Sequence, residues 1–255
     1  LNKNIIIQMQ IVAVLLGAPI FVFLDSPWFA DHFFVGQDVN NVIMFLMYGW
    51  IFYFAGRRLH WLMLIMIVAS FCAEVIGSKI LTLYRYHLDN IPPFIPLGHA
   101  VVYAIVFQIT HQPFIWKYHV DFENFLRKFA FIVCFMSLIL LNDVAGFLGY
   151  LFFLVILRQR KKPLFYLTMF AITYYLEFLG TVFSAWSYYF ALGNHPNYIP
   201  TSVTPCGIAG VYMLVDITSN SAYFYVKKLK KYLKKVRTSL HTITPEKESI
   251  IQSLQ

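Results

Sequence analysis

Two glutamates stand out because of where they fall. Glu74, in EVIGSKILTLYRYHLDNIPPFIPLGHAVVY, and Glu177, in EFLGTVFSAWSYYFALGNHPNYIPTSVTPCGIAGVY, each interrupt an apolar run. Each is followed three residues later by glycine, then by closely spaced aromatics and prolines. An ionised carboxylate in hydrocarbon costs ~3 kcal/mol on insertion scales, so each must face the interior of a helix bundle and find a partner or stay protonated. A carboxyl group held dry among aromatic rings is equipped for general-acid chemistry on an apolar substrate. The same residues could instead carry a proton across a membrane, or fasten helices through buried hydrogen bonds.

Helical spacing places Ser78 and Thr82 above Glu74, and Thr181, Ser184 and Tyr188 above Glu177. Gly77 and Gly180, one turn on, open the same face to another helix or a ligand. Beyond the first carboxylate lie Arg85, Tyr86, His87 and Asp89 with Pro92 and Pro93; beyond the second lie Trp186, Tyr188, Tyr189, His195 and Tyr198 with Pro196 and Pro200. Prolines fix such loops, and the Pro-x-Gly restarts PLGH and PCGI then open returning helices whose free N–H groups point at the loop. His99 has no counterpart, its place being taken by Ile208, so the first copy is the chemically richer one. Lys79 is five residues from Glu74, about 140° around a helix, which sets it off that face.

The acid–base candidates are therefore Glu74, Glu177 and His99. The substrate-contact candidates are Ser78, Arg85, Tyr86, His87, Tyr103, Thr181, Trp186, Tyr188 and Tyr212. Asp143 and Asp216 are further acids in apolar surroundings, and Asp216 suits helix packing or a proton path equally. No HxxxH, HxxHH, CxxC or zinc spacing occurs, and the cysteines number three, so neither a metal nor a disulfide framework is expected.

The elements that must hold these groups are membrane helices. With 59% hydrophobic and only 13% charged residues in 255, the chain has more apolar surface than a soluble domain could bury. Its charge of +8 is gathered at Arg57-Arg58, Arg127-Lys128, Arg158 to Lys162 and KKLKKYLKKVR, the positive-inside pattern rather than a nucleic-acid surface. The expected fold is all-α and polytopic, with eight spans near 5–24, 39–56, 61–83, 95–112, 122–141, 144–160, 163–185 and 204–226 and both termini cytoplasmic. Asn142-Asp143 marks a hairpin tip between the fifth and sixth spans. Residues 1–226 form one transmembrane domain, and 227–255 a basic amphipathic tail (Leu229, Tyr232, Leu233, Val236) that lies on anionic phospholipid; from Thr238 onward it reads as solvated and disordered.

The two quoted stretches overlay. Glu74 and Gly77 match Glu177 and Gly180; Tyr84 and Tyr86 match Trp186 and Tyr188 after a one-residue slip. Ile91-Pro92 matches Ile199-Pro200, and Pro96, Gly98, Ala100 and Tyr103 match Pro205, Gly207, Ala209 and Tyr212. The overlay predicts a parallel repeat of four helices plus four, with halves near 1–118 and 119–226.

The succession Glu-x-x-Gly, aromatic pair, Ile-Pro and proline-led helix resembles the integral-membrane carotenoid biosynthesis proteins of the carotenoid hydratase type, over Glu74 to Tyr103 and less fully over Glu177 to Tyr212. The resemblance implies a multi-helix membrane enzyme that adds water across the terminal double bond of a long isoprenoid chain without metal or organic cofactor. A desolvated glutamate ringed by tyrosines near an aqueous boundary has the character such hydration needs, with Glu74 as the acid and Glu177 its symmetry mate or a water-orienting base. A proton-coupled transporter or lipid-binding protein using both glutamates is the competing expectation.

Overall fold

The computed structural model describes residues 2–160 and 162–253, with side chains except at 209 and from 235 onward. Among the described residues four helices are long and apolar enough to cross a membrane. They are α1 (Lys3–Leu24), α4 (Arg57–Glu74) with the π-turn Val75–Ile80 that extends it, α7 (His119–Leu141) and α9 (Pro163–Val182). Two shorter apolar helices are α5 (Phe94–Thr110) and α8 (Val144–Arg158). Between them lie α2 (Pro27–His32), α3 (Gln37–Phe54) and α6 (Pro113–Lys117), and α10 (Ile208–Ser253) closes the chain.

The helix boundaries follow local chemistry. The N-terminal Asn2 side chain caps α1, Ser26 caps α2 ahead of Pro27, and Pro163 opens α9. Asn142 ends α7 in the left-handed region (φ 53°), the conformation that asparagine tolerates better than most side chains, and Asp143 caps α8 by accepting from the Gly146 N–H at 3.0 Å. The turn expected at Asn142-Asp143 is therefore present.

Helices α4, α5, α9 and α10 form the centre, with α4 and α9 each packed against both α5 and α10. Outside them α3 lies on α5 and α8 lies on α10. Gly207 meets Gly146 and Gly149 where α8 and α10 cross, so closely that a Cβ on Gly207 would overlap the α8 backbone. The α1 helix breaks the pattern: it packs on α3, α5 and α9, whereas α7 packs on α8 and α9.

Three features differ from the sequence expectation. The fold is helical, but a two-stranded antiparallel sheet joins β1 (Tyr84–Tyr86) to β2 (Trp186–Tyr188). Pro96 and Gly98 lie inside α5, which starts at Phe94, while Pro205 and Gly207 precede α10; the two restarts are not equivalent, because the Phe94 N–H is capped by the Asn41 side chain and helix formation begins before Pro96. Finally, α10 does not end near 226: one helix runs from Ile208 to Ser253, through the amphipathic segment and through the residues from Thr238 onward expected to be disordered, as the good helix formers in KKLKKYLKKVR favour. The side chains of Val236 and Arg237, and Lys161 of the third basic cluster, lie outside the described residues.

Candidate functional site

The two carboxylates end up in one apolar cavity of about 200 Å3, at the end of the molecule where β1 and β2 pair. The local sequence builds each half of it in the same way. After Glu74 the helix opens into the π-turn, passes Thr82 in the left-handed region (φ 45°) and enters β1; after Glu177 it passes Ser184 (φ 57°) and enters β2 without a π-turn. The π-turn absorbs the single extra residue of the first copy, which is the one-residue slip in the sequence overlay.

The strands then fold back over the helix ends. Tyr84 pairs with Tyr188, Arg85 with Ser187 and Tyr86 with Trp186, a register that is symmetric about the Arg85–Ser187 pair. The bonds from the His87 N–H to Ala185 O and from the Tyr189 N–H to Leu83 O extend that symmetry. Alternation along a strand sends Tyr84 and Tyr86 to one face and Arg85 to the other, where it is exposed.

On the inner face each carboxylate collects three partners. Glu74 Oε2 accepts from the Tyr84 and Tyr86 hydroxyls, both at 2.6 Å, and Oε1 lies 3.1 Å from His99 Nε2. Glu177 Oε2 accepts from Trp186 Nε1 and the Tyr188 hydroxyl, both at 2.8 Å, and Oε1 accepts from the Tyr212 hydroxyl at 3.1 Å. The glutamates are 5% and 4% exposed, so these partners replace the water that each has lost. The glycine of each Glu-x-x-Gly makes the arrangement possible. A Cβ on Gly77 would crowd the Tyr84 ring and one on Gly180 would overlap the Trp186 indole, so the glycines admit the chain's own aromatic rings.

The two networks touch. The His99 ring stacks on Tyr212 with centroids 4.4 Å apart and planes 4° apart, and the Tyr84 and Tyr188 rings lie 5.3 Å apart. His99 from α5 and Tyr212 from α10 thus do the same task in the two halves. The overlay had matched Tyr212 with Tyr103 instead, because it assumed a common helix start.

Of the sequence candidates, Glu74, Glu177, His99, Tyr86, Trp186, Tyr188 and Tyr212 meet in this cavity. Ser78 and Thr181 do not face it; their hydroxyls bond the backbone oxygens of Glu74 (2.8 Å) and Glu177 (3.0 Å) on their own helices, and Thr181 also bonds Thr204. Arg85 points away, as strand alternation requires. His87 packs beyond the sheet, with Nδ1 3.9 Å from Asp25 Oδ2. Tyr103 lies deeper along α5, beside Asn220, and lines a second cavity. Lys79 is exposed and donates to the Asp89 backbone oxygen. Tyr84 was not among the candidates, although it shares a strand face with Tyr86; the spacing of two was the signal.

The rest of the cavity wall is apolar, with Gly17, Ala18 and Phe21 of α1 and Met44 and Met47 of α3 among its residues. Gly17 has open space where a side chain would be. Among the described residues no group of three His, Cys, Asp or Glu side chains could hold a metal ion. In comparisons with known proteins no family model matches the chain, no curated protein matches it, and no solved structure matches the fold.

Proposed function

We propose that the chain is an integral membrane enzyme acting on a long apolar isoprenoid or carotenoid-like lipid, by acid-catalysed addition of water to a terminal double bond. The observation that carries this reading is the Glu74–His99 pair at the polar end of an apolar, ring-lined cavity. A carboxyl group and an imidazole 3.1 Å apart share one proton between two weakly basic sites, which is the equipment of a general acid that must be recharged. The proton passes to the less substituted alkene carbon and leaves a tertiary cation. The faces of the cavity tyrosines and Trp186 steady that cation. Water then forms the C–O bond, and its surplus proton returns to the Glu74–His99 pair.

The membrane setting belongs to the same proposal. Helices α4 and α9 both end on one sheet, and the basic clusters at Arg57-Arg58 and Arg158 to Lys162 lie at their opposite ends. Placing that basic end in the cytoplasm gives eight spans in two parallel halves, with the carboxylates toward the outer face and the lysines of α10 on anionic phospholipid. The resemblance to the carotenoid hydratase type supports the choice of reaction.

Exchanging Glu74 for Gln keeps the shape and removes the transferable proton. The Glu74→Gln protein should insert and purify normally while product formation falls ~100-fold or more. Glu177→Gln should cost less, because Glu177 has no imidazole partner. Full turnover by Glu74→Gln would end the catalytic assignment, and a drop only in yield or melting temperature would identify a helix fastener. A proton-coupled transporter is the second reading, favoured by Asp216 and Asn220 lining a cavity at the opposite end of α4 and α9 from the sheet. It predicts loss of proton uptake, with no product from either protein.

A further inference from the structure

The second cavity, of about 570 Å3, lies at the end of the helix bundle away from the sheet, between the starts of α4 and α9, the end of α5, and α10. Three permanent cations line it, Arg58, Arg160 and Lys162. Among the described residues none of the three has an ion-pair partner. Arg160 lies over the Tyr166 ring at 5.6 Å, and its Nε is buried without a hydrogen-bond partner. Across the cavity Asp216, 1% exposed, bonds Asn220 through Oδ1 at 2.8 Å and has the Tyr166 hydroxyl and the Arg160 guanidinium as electrostatic neighbours, while its buried Oδ2 meets no donor in hydrogen-bond geometry. A buried guanidinium nitrogen and a buried carboxylate oxygen, both unsatisfied, in one cavity that carries an excess of positive charge, are groups arranged for a polar anion that can also donate a hydrogen bond. The remaining lining mixes Thr110 and His111 with the apolar faces of Phe107, Trp116, Phe165 and Phe224, which suit an apolar carrier for the anion.

We propose that this cavity binds a phosphate or diphosphate group borne on a hydrocarbon chain. The arginines take the phosphate oxygens, where the planar guanidinium matches their geometry. The aromatic wall takes the first carbons of the chain, and Asp216 Oδ2 accepts from a protonated phosphate oxygen or a headgroup hydroxyl or ammonium. The ligand is amphiphilic, and this site is separate from the cavity of Glu74 and Glu177.

The test uses the full chain purified in a non-ionic detergent, with melting temperature and the tryptophan fluorescence that Trp116→Phe removes as readouts. The probes are a twenty-carbon isoprenyl diphosphate, a phosphatidic acid, phosphatidylcholine and inorganic diphosphate. The isoprenyl diphosphate or phosphatidic acid should bind at least tenfold more tightly than inorganic diphosphate or phosphatidylcholine, and which of the two is preferred identifies the source of the phosphate. Arg160→Gln should weaken that binding by tenfold or more. Arg58→Gln and Lys162→Gln, at exposed positions that tolerate neutral side chains, should each weaken it and keep the assignment testable should Arg160→Gln misfold. Glu74→Gln should leave it unchanged, so this result stands apart from the proposed chemistry. Equal binding of inorganic diphosphate or phosphatidylcholine, or full binding by all three cation variants, would overturn the proposal.

Discussion

Trp186 has an indole N–H that only donates, so Glu177 Oε2 is committed as an acceptor. Nothing commits Glu74 in this way, since tyrosine hydroxyls can turn and His99 Nε2 can either give or take the proton. The two halves therefore present their carboxylates similarly and differ in the partner at Oε1, an imidazole that can take up the proton beside Glu74 and a tyrosine hydroxyl beside Glu177. Asp25 and His87, beyond the sheet, show a different electrostatic balance. Burial pushes Asp25 up from 3.8 to about 7 and pushes His87 below its ordinary value. At 3.9 Å they are beyond hydrogen-bond reach, so loss of water and not pairing sets both, and the folded protein prefers each group neutral. For an acid whose folded pKa is raised, the stabilisation is complete below about pH 4 and is lost as pH rises through about 7. His87 acts in the opposite sense, losing its contribution as pH falls. Melting temperature should accordingly decline as pH rises from about 4 to about 7, less steeply where His87 opposes it, and Asp25→Asn should reduce that decline. An unchanged slope in Asp25→Asn would contradict the assignment to Asp25.

The start of α10 is held by an acid outside the cavity. Asp143, 0% exposed, accepts from the Ser137 hydroxyl (2.9 Å), Gly146 N–H (3.0 Å), Ser202 N–H (3.2 Å) and Cys206 N–H (2.8 Å), with the Thr201 hydroxyl at 3.3 Å. It joins the α7–α8 turn to the segment that delivers Tyr212 to Glu177. Asp143→Ala strands several buried donors and should cost ~3–5 kcal/mol, read as a lower melting temperature, with Asp143→Asn intermediate. A wild-type melting temperature in Asp143→Ala would refute this role. The sequence already exposed the helix limits here, because hydropathy, Asn142-Asp143 and the prolines are local signals. It also exposed the carboxylates with most of their aromatic partners. It did not reveal that His99 and Tyr212 correspond, since that depends on where α5 and α10 start, and Asn41 sets the first start from a distant helix. The strand pairing was hidden for a similar reason: three-residue strands leave no hydropathy period, and the π-turn displaced one copy by a residue. Ser78 and Thr181 were misplaced because helical spacing locates a hydroxyl on a face, while its nearest acceptor is the backbone oxygen four residues back.

Across the whole molecule, α4 and α9 each pack on both α5 and α10, while α1 packs on α3, α5 and α9 and supplies one wall of the cavity. Its small residues there and its exposed Leu16 and Ile20 make it the element between the carboxylates and the apolar exterior of the molecule. On the two proposals, one end of the molecule does proton chemistry on an apolar chain and the other binds a phosphate-bearing one. The most direct check of the first is mass spectrometry of lipid extracted from the purified wild-type and Glu74→Gln proteins, both expressed in a carotenoid-producing membrane. Wild type should carry a polyisoprenoid together with a form heavier by one water, and Glu74→Gln should carry the same polyisoprenoid without that form. Bulk phospholipid alone in both proteins, or the hydrated form in Glu74→Gln at the wild-type level, would contradict the account.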